Sequence, residues 1–193
     1  TPNNEWYADL FGEHPEKVTG EVTPAYSLMD DSDIADLVSA FPKIKAILIL
    51  RNPIERAWST IMYHDKRQMI SIADMSREDI KEYLGKSQIM ERSDYLSIIE
   101  RWSSHLDKEQ LLVVYYDEIS NAPDKLYAKL TTFLDLEPEH AISLDFAKKV
   151  NASKPETLPE WLADHLKAQY LPALERMAVK LGDYPASWYE KYK

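Results

Sequence analysis

The chain has 193 residues, 45% of them apolar, enough for one domain with a substantial core. Its formal charge of −10 argues against nucleic acid and against an anionic membrane surface, both of which are held mainly through Lys and Arg. The absence of cysteine excludes disulfides, thiolate chemistry and cysteine-ligated zinc, and it suits a reducing cytoplasm.

In chain order, NNEWYADLFGEH reads as a short helix with Trp6, Leu10 and Phe11 on one side. The acidic run EHPEKVTGE reads as a solvated loop, and KVTGEVTPAYS as a short strand broken by Pro24, which cannot donate to a ladder. DSDIADLVSAFP has Asp/Ser start signals, the helical spacing Ile34, Leu37, Val38, Phe41, and a Pro stop. KIKAILIL is a continuous β-branched and leucine run, the pattern of a strand buried on both faces. PIERAWSTIMYHDKRQ follows as a helix. Residues 71–92 are polar, with a helix around Ser76 to Leu84. YLSIIERWSSHL is an amphipathic helix with Leu96, Ile99 and Trp102 on its stripe. QLLVVYYDEI is a second buried strand, DKLYAKLTTFLDL a helix behind it, and ISLDFAKKV a short helix. LPEWLADHLKAQYLPALERMAVKLG is a long terminal helix, interrupted near Pro172 and closed by Gly182. Beyond it, Trp188, Tyr189 and Tyr192 either cover a hydrophobic seam or line an acceptor pocket.

Strands alternating with helices predict an α/β fold, a parallel β-sheet flanked by helices. Ligands of such sheets bind beyond the carboxyl ends of the strands, where Arg51, Asn52 and Asp117 fall. The longest apolar run, Ala46 to Leu50, is far too short to cross a bilayer. No metal is expected, since His14, His64, His105, His140 and His165 show no paired ligand spacing.

The stretch KAILILRNPIERAWSTIMYHD, residues 45–65, places a strand directly before a helix. Pro53 suits the first helical position, Asn52 suits the N-cap, and Glu55 stands where a capping-box carboxylate would. A helix start offers free N–H groups and partial positive charge, Arg51 a planar fork of donors, and Ser59 a hydroxyl nearly two turns along. Together they make an oxyanion pocket. The competing reading of Arg51 and Arg56 is ordinary ion pairing with neighbouring acids.

LILRNPIERAWSTIMY resembles the segment by which sulfotransferases hold the 3′-phosphate of 3′-phosphoadenosine 5′-phosphosulfate (PAPS). The family pattern, R-x-P-x-x-R-x-x-S after a buried strand, is filled by Arg51, Pro53, Arg56 and Ser59. The resemblance gives Arg51 and Ser59 the 3′-phosphate and leaves Arg56 as support. GEVTPAYS resembles the E-K-T-P-A-Y segment of heparan-type and bacterial members, with Val22 where many carry Lys. YLSIIERWSSHLDKEQLLVVYYDEISNAPDKLYAKLTTFLDLEP resembles their helix, strand and helix. The region from Val150 to Gly182 resembles their carboxyl-terminal loop and helix, which makes Ser153 and Lys154 further cofactor candidates.

The resemblance implies a P-loop NTPase-like sulfotransferase fold and a single domain over residues 1–193. It implies in-line transfer of a sulfuryl group from PAPS to an acceptor hydroxyl, without a metal. The loop rich in Gly, Ser, Thr and Lys that cradles the 5′-phosphosulfate in the family has no counterpart before Glu21. The domain is therefore expected to lack its N-terminal portion, to be inactive alone, and to have its main general base upstream of Thr1. Glu21 is the one base candidate by motif. With Lys absent from GEVTPAYS, and Asp65 accompanying Lys66 and Arg67, the expected acceptor is a neutral or weakly charged small molecule, lipid-like alcohol or glycan. A non-catalytic nucleotide- or sugar-binding module of the same fold is the alternative. A P-loop kinase is excluded, because G-x-x-x-x-G-K-[ST] does not occur.

Overall fold

The computed structural model describes residues 4–9, 11–12, 17–137 and 157–193. The chain order is α1 (Asn4–Asp9), α2 (Asp31–Ala40), β1 (Ala46–Leu50), α3 (Pro53–Lys66), α4 (Arg77–Leu84), α5 (Ser87–Glu91), α6 (Tyr95–Ser103), β2 (Leu111–Tyr115), α7 (Tyr116–Asn121), α8 (Pro123–Phe133), α9 (Glu160–Leu181) and α10 (Asp183–Tyr192). Short 3-10 turns occupy Pro24–Leu28 and Ile72–Asp74. The strands β1 and β2 pair in parallel, from Ala46↔Leu111 to Leu50↔Tyr115, and helices follow both. This is the α/β arrangement read from the sequence.

Local signals account for the helix starts. Asp30 caps α2 by accepting the Asp33 N–H. Ser76 and Asp79 close a reciprocal capping box on α4. The core gathers on one side of the sheet, where Leu50, Ile54, Ala57 and Ile61 meet Ile98 and the α9 stripe of Leu162, Leu166, Tyr170, Leu174 and Met177.

Four expectations about the elements are corrected. GEVTPAYS forms no strand. Residues 18–23 are irregular and exposed, apart from a half-buried Thr23, and Pro24 opens a 3-10 turn, since its fixed φ suits a turn and it lacks a ladder donor. The strand β1 is not buried on both faces, because Ile47 is 37% and Ile49 52% exposed and the described helices pack only its other face. A continuous apolar run cannot reveal this, since side-chain alternation says nothing of what covers each face. The buried stripe of α6 is Tyr95, Ile98 and Trp102, with Leu96 and Ile99 only half-buried, because the Tyr95 hydroxyl is drawn to the backbone of Arg51. Finally, α9 runs unbroken through Pro172, whose ring faces solvent while Tyr170 and Leu174 hold the helix to the core on either side. Gly182, at φ 63°, ends α9 in a conformation that a β-carbon would strain, and turns the chain into α10. The ISLDFAKKV segment lies outside the described residues.

Candidate functional site

The register sends Arg51 and Tyr116 out of the sheet as neighbours, each one residue past the last pair, Leu50↔Tyr115. The Arg51 guanidinium carbon lies 4.7 Å from the centroid of the Tyr116 ring. Its backbone is pinned by Tyr95, whose hydroxyl donates to the Arg51 carbonyl at 2.9 Å and receives the Arg51 N–H at 3.4 Å. Burial pushes the Tyr95 phenol up from its ordinary value, so it stays protonated and able to donate. The Arg51 guanidinium itself makes no hydrogen bond with any described residue, and its Nε is buried without an acceptor. A donor left in that state costs roughly 1–3 kcal/mol. The side chain rests against the Tyr116 ring with none of its donors accepted by a described residue.

Arg56 is its opposite. Its Nε donates to the Ser93 hydroxyl at 2.7 Å, and a terminal nitrogen donates to the Ile89 carbonyl. It ties α3 to α5 and to the turn between α5 and α6.

The helix start departs from expectation. Asn52 is 1% exposed, and its Oδ1 accepts the N–H groups of Ile54 at 3.0 Å and Glu55 at 3.3 Å. Pro53 has no N–H, and the Arg56 N–H goes to the Asn52 carbonyl. The cap therefore consumes the donors that were expected to face an anion, leaving the helix dipole and Arg51. The Asn52 amide nitrogen is buried without an acceptor. Glu55 closes no capping box, because its carboxylate instead accepts from Lys191 at 2.7 Å. Ser59 is half-buried on the side of α3 away from Ile54, Ala57 and Ile61, and its hydroxyl has no partner among the described residues. It lies about 10 Å along the helix axis from Asn52 and makes no hydrogen bond with Arg51, so a ligand would have to join them.

Glu21 sits in an exposed loop rather than at a strand end. Its Oε1 accepts the hydroxyls of Tyr26, at 2.5 Å, and Tyr7, and its Oε2 accepts from Thr23 at 3.2 Å. The Tyr26 bond first, then that of Tyr7, holds its carboxyl below the ordinary range. A general base works best with its pKa near the working pH, and this carboxylate is moved the other way. Through these bonds it joins α1 to the 3-10 turn. Asp117, in the first turn of α7, accepts from Trp188 Nε1 at 3.3 Å. His64 bonds the Tyr83 hydroxyl at 2.7 Å and bridges α3 to α4. Trp188 is buried edge-on to Tyr115, so of the two readings of the terminal aromatics the structure takes the packed seam. Ser153 and Lys154 lie outside the described residues.

Two contributors were not found in the sequence. Tyr95 was assigned only to a helix, and nothing local marks its hydroxyl as the clamp on Arg51. Tyr116 had a signal, since two strands aligned at their ends put the residues after them side by side.

Residues 4–140 match the family described as Sulfotransferase family. The bifunctional heparan sulfate N-deacetylase/N-sulfotransferase 1 of Caenorhabditis briggsae is 24% identical over 146 residues, which are 68% of this chain and 17% of that protein. The chain thus spans less than a fifth of that relative. The crystal structure of a sulfotransferase from Alicyclobacillus acidocaldarius superposes with a TM-score of 0.76 at 20% identity, covering 96% of this chain and 74% of that one. That likeness shows the α/β sulfotransferase fold. With most of its length matched, the chain belongs to the sulfotransferase family.

Proposed function

We propose that this domain binds PAPS through Arg51 and Ser59 and serves sulfuryl transfer to an acceptor hydroxyl. The observation that carries the reading is Arg51 at the β1 exit, its backbone pinned by Tyr95 and its guanidinium set against the Tyr116 ring with no acceptor among the described residues. Its neighbour Arg56 is spent on Ser93 and Ile89, so the difference is one of placement and not of composition.

PAPS supplies the sulfuryl group, which passes in line to the acceptor oxygen as the bond to the nucleotide's 5′-phosphate breaks. In this reading Arg51 holds the 3′-phosphate with charged hydrogen bonds, Tyr116 keeps its guanidinium plane oriented, and Ser59 adds one neutral donor. The protein's contribution is positioning and neutralisation of charge. Ser153 and Lys154 remain proposed contacts to the same nucleotide. The acceptor's proton needs a base, and Glu21 would have to release two tyrosine hydroxyls to take it.

Calorimetry with adenosine 3′,5′-bisphosphate, and sulfate transfer assayed on an acceptor panel with the full-length protein, test the reading. We expect binding, and transfer to neutral or weakly charged hydroxyl acceptors. A preference for heparan-like polyanions that falls steeply with salt would overturn the acceptor class. Nucleotide binding without transfer to any acceptor would favour the non-catalytic module.

A further inference from the structure

Glu55 lies in the first turn of α3, at the end of the helix nearest Arg51. A carboxylate there suits the helix dipole, yet it opposes any other anion drawn to the same end. In a chain of net charge −10, that opposition has to be answered locally. The answering group comes from the far end of the sequence: Lys191 Nζ donates to Glu55 Oε1 at 2.7 Å.

The pair does little for folding. The Lys191 side chain is 58% and that of Glu55 39% exposed, and contacts of this kind contribute little stability. Docking of α10 is already secured by Trp188, buried against Tyr115 and bonded to Asp117. Glu55 in turn holds the Lys191 ammonium above its ordinary value, chiefly through their hydrogen bond. Of the two arginines that flank this helix start, Arg51 has no side-chain acceptor among the described residues, and Arg56 is bonded to Ser93 and Ile89.

We propose that Lys191 tunes the anion site, cancelling the charge of Glu55 so that the α3 N-terminus stays receptive to a nucleotide phosphate beside Arg51. Lys191 is a positioning residue of the electrostatic kind and touches no ligand itself. The inference rests on the nucleotide reading above.

Adenosine 3′,5′-bisphosphate titrated calorimetrically into the full-length protein and its variants tests it. Lys191→Met should weaken binding about two- to fivefold at low salt, the scale of one charge at a helix terminus. Lys191→Arg should restore it. The double variant Glu55→Gln with Lys191→Met should bind at least as well as the unsubstituted protein, since it removes both charges. If Lys191→Met binds unchanged while Arg51→Ala does not bind, this inference fails and the nucleotide reading stands. If the double variant is as weak as Lys191→Met, the contact is a mechanical tether and the electrostatic role is overturned. If the unsubstituted protein does not bind the probe, both readings fall together.

Discussion

Two strand-to-helix crossovers leave the same end of the sheet, and they are finished in opposite ways. After β2, the carboxylate of Glu118 folds back to accept the Tyr115 N–H at 2.7 Å and the Lys129 ammonium at 2.6 Å, while Asp117 takes the Trp188 indole. That crossover is acidic, its two carboxylates are paired within the chain, and Trp188 of α10 packs against it. After β1, the cap is equally complete at the backbone, but Arg51 is left with charge and donors to spare. Equivalent places in the topology therefore do not make equivalent sites. A side chain with no hydrogen-bond acceptor among the described residues separates the one from the other.

The largest effect that follows is on nucleotide affinity. Arg51→Ala should lower adenosine 3′,5′-bisphosphate binding tenfold to a hundredfold, the scale of charged hydrogen bonds worth about 1.5–3 kcal/mol each. Its thermal stability should hold or rise, because the substitution removes a buried unpartnered Nε and no side-chain hydrogen bond to a described residue, at the loss only of the contact with Tyr116. Unchanged affinity in the folded variant would erase the distinction between the crossovers.

The opposite pattern is expected at the second crossover. Glu118→Ala removes the acceptor of the Tyr115 N–H and the partner of Lys129 at a site only 8% exposed. It should cost about 2 kcal/mol of stability, read from denaturant unfolding, with bisphosphate affinity in the folded fraction unaltered. A loss of affinity matching that of Arg51→Ala would mean that both crossovers serve the ligand.

How much of this could be read from the sequence depends on the range over which each signal acts. The exit of β1 and the starts of α2, α3 and α4 were legible because caps, Pro at the first helical position and apolar spacing act within a few residues. The pairing of β1 with β2 followed from their alternation with helices. What failed was whatever depends on distant partners. Glu55 met Lys191 instead of its own helix start, Tyr95 turned the α6 stripe toward Arg51, and the exposed face of β1 depended on what the rest of the chain covers. The free N–H groups were misjudged for a local reason: a good Asn cap and a Pro at the first turn stabilise the helix by consuming the very donors that an anion would use.

Ser59 gives a smaller test of the first crossover. Ser59→Ala should weaken the bisphosphate by about 0.5–1.5 kcal/mol, the contribution of one neutral hydrogen bond. It should leave unfolding unchanged, since the hydroxyl has no partner among the described residues. An effect as large as that of Arg51→Ala would place the phosphate farther along α3 than the crossover itself.

The smallest expected effect separates the crossovers from the exposed tie at Glu21. The hydroxyls of Tyr26 and Tyr7 stabilise its charged form, so its carboxyl in the folded chain lies below its unfolded value. Such a group contributes its full stabilisation above the unfolded value, and loses it as the pH falls through the folded one. Glu21→Gln should therefore lower the melting temperature slightly at neutral pH, and the gap to the unsubstituted protein should close on acidification below the ordinary carboxylate range. The site is exposed, so solvent screening keeps the gap small. Bisphosphate affinity should not change, because the tie joins α1 to the 3-10 turn and not to β1 or α3. A gap that persists undiminished in acid would show that the neutral amide fails on geometry and that charge is not what holds these elements together. Loss of sulfate transfer with stability intact would instead restore Glu21 as the base.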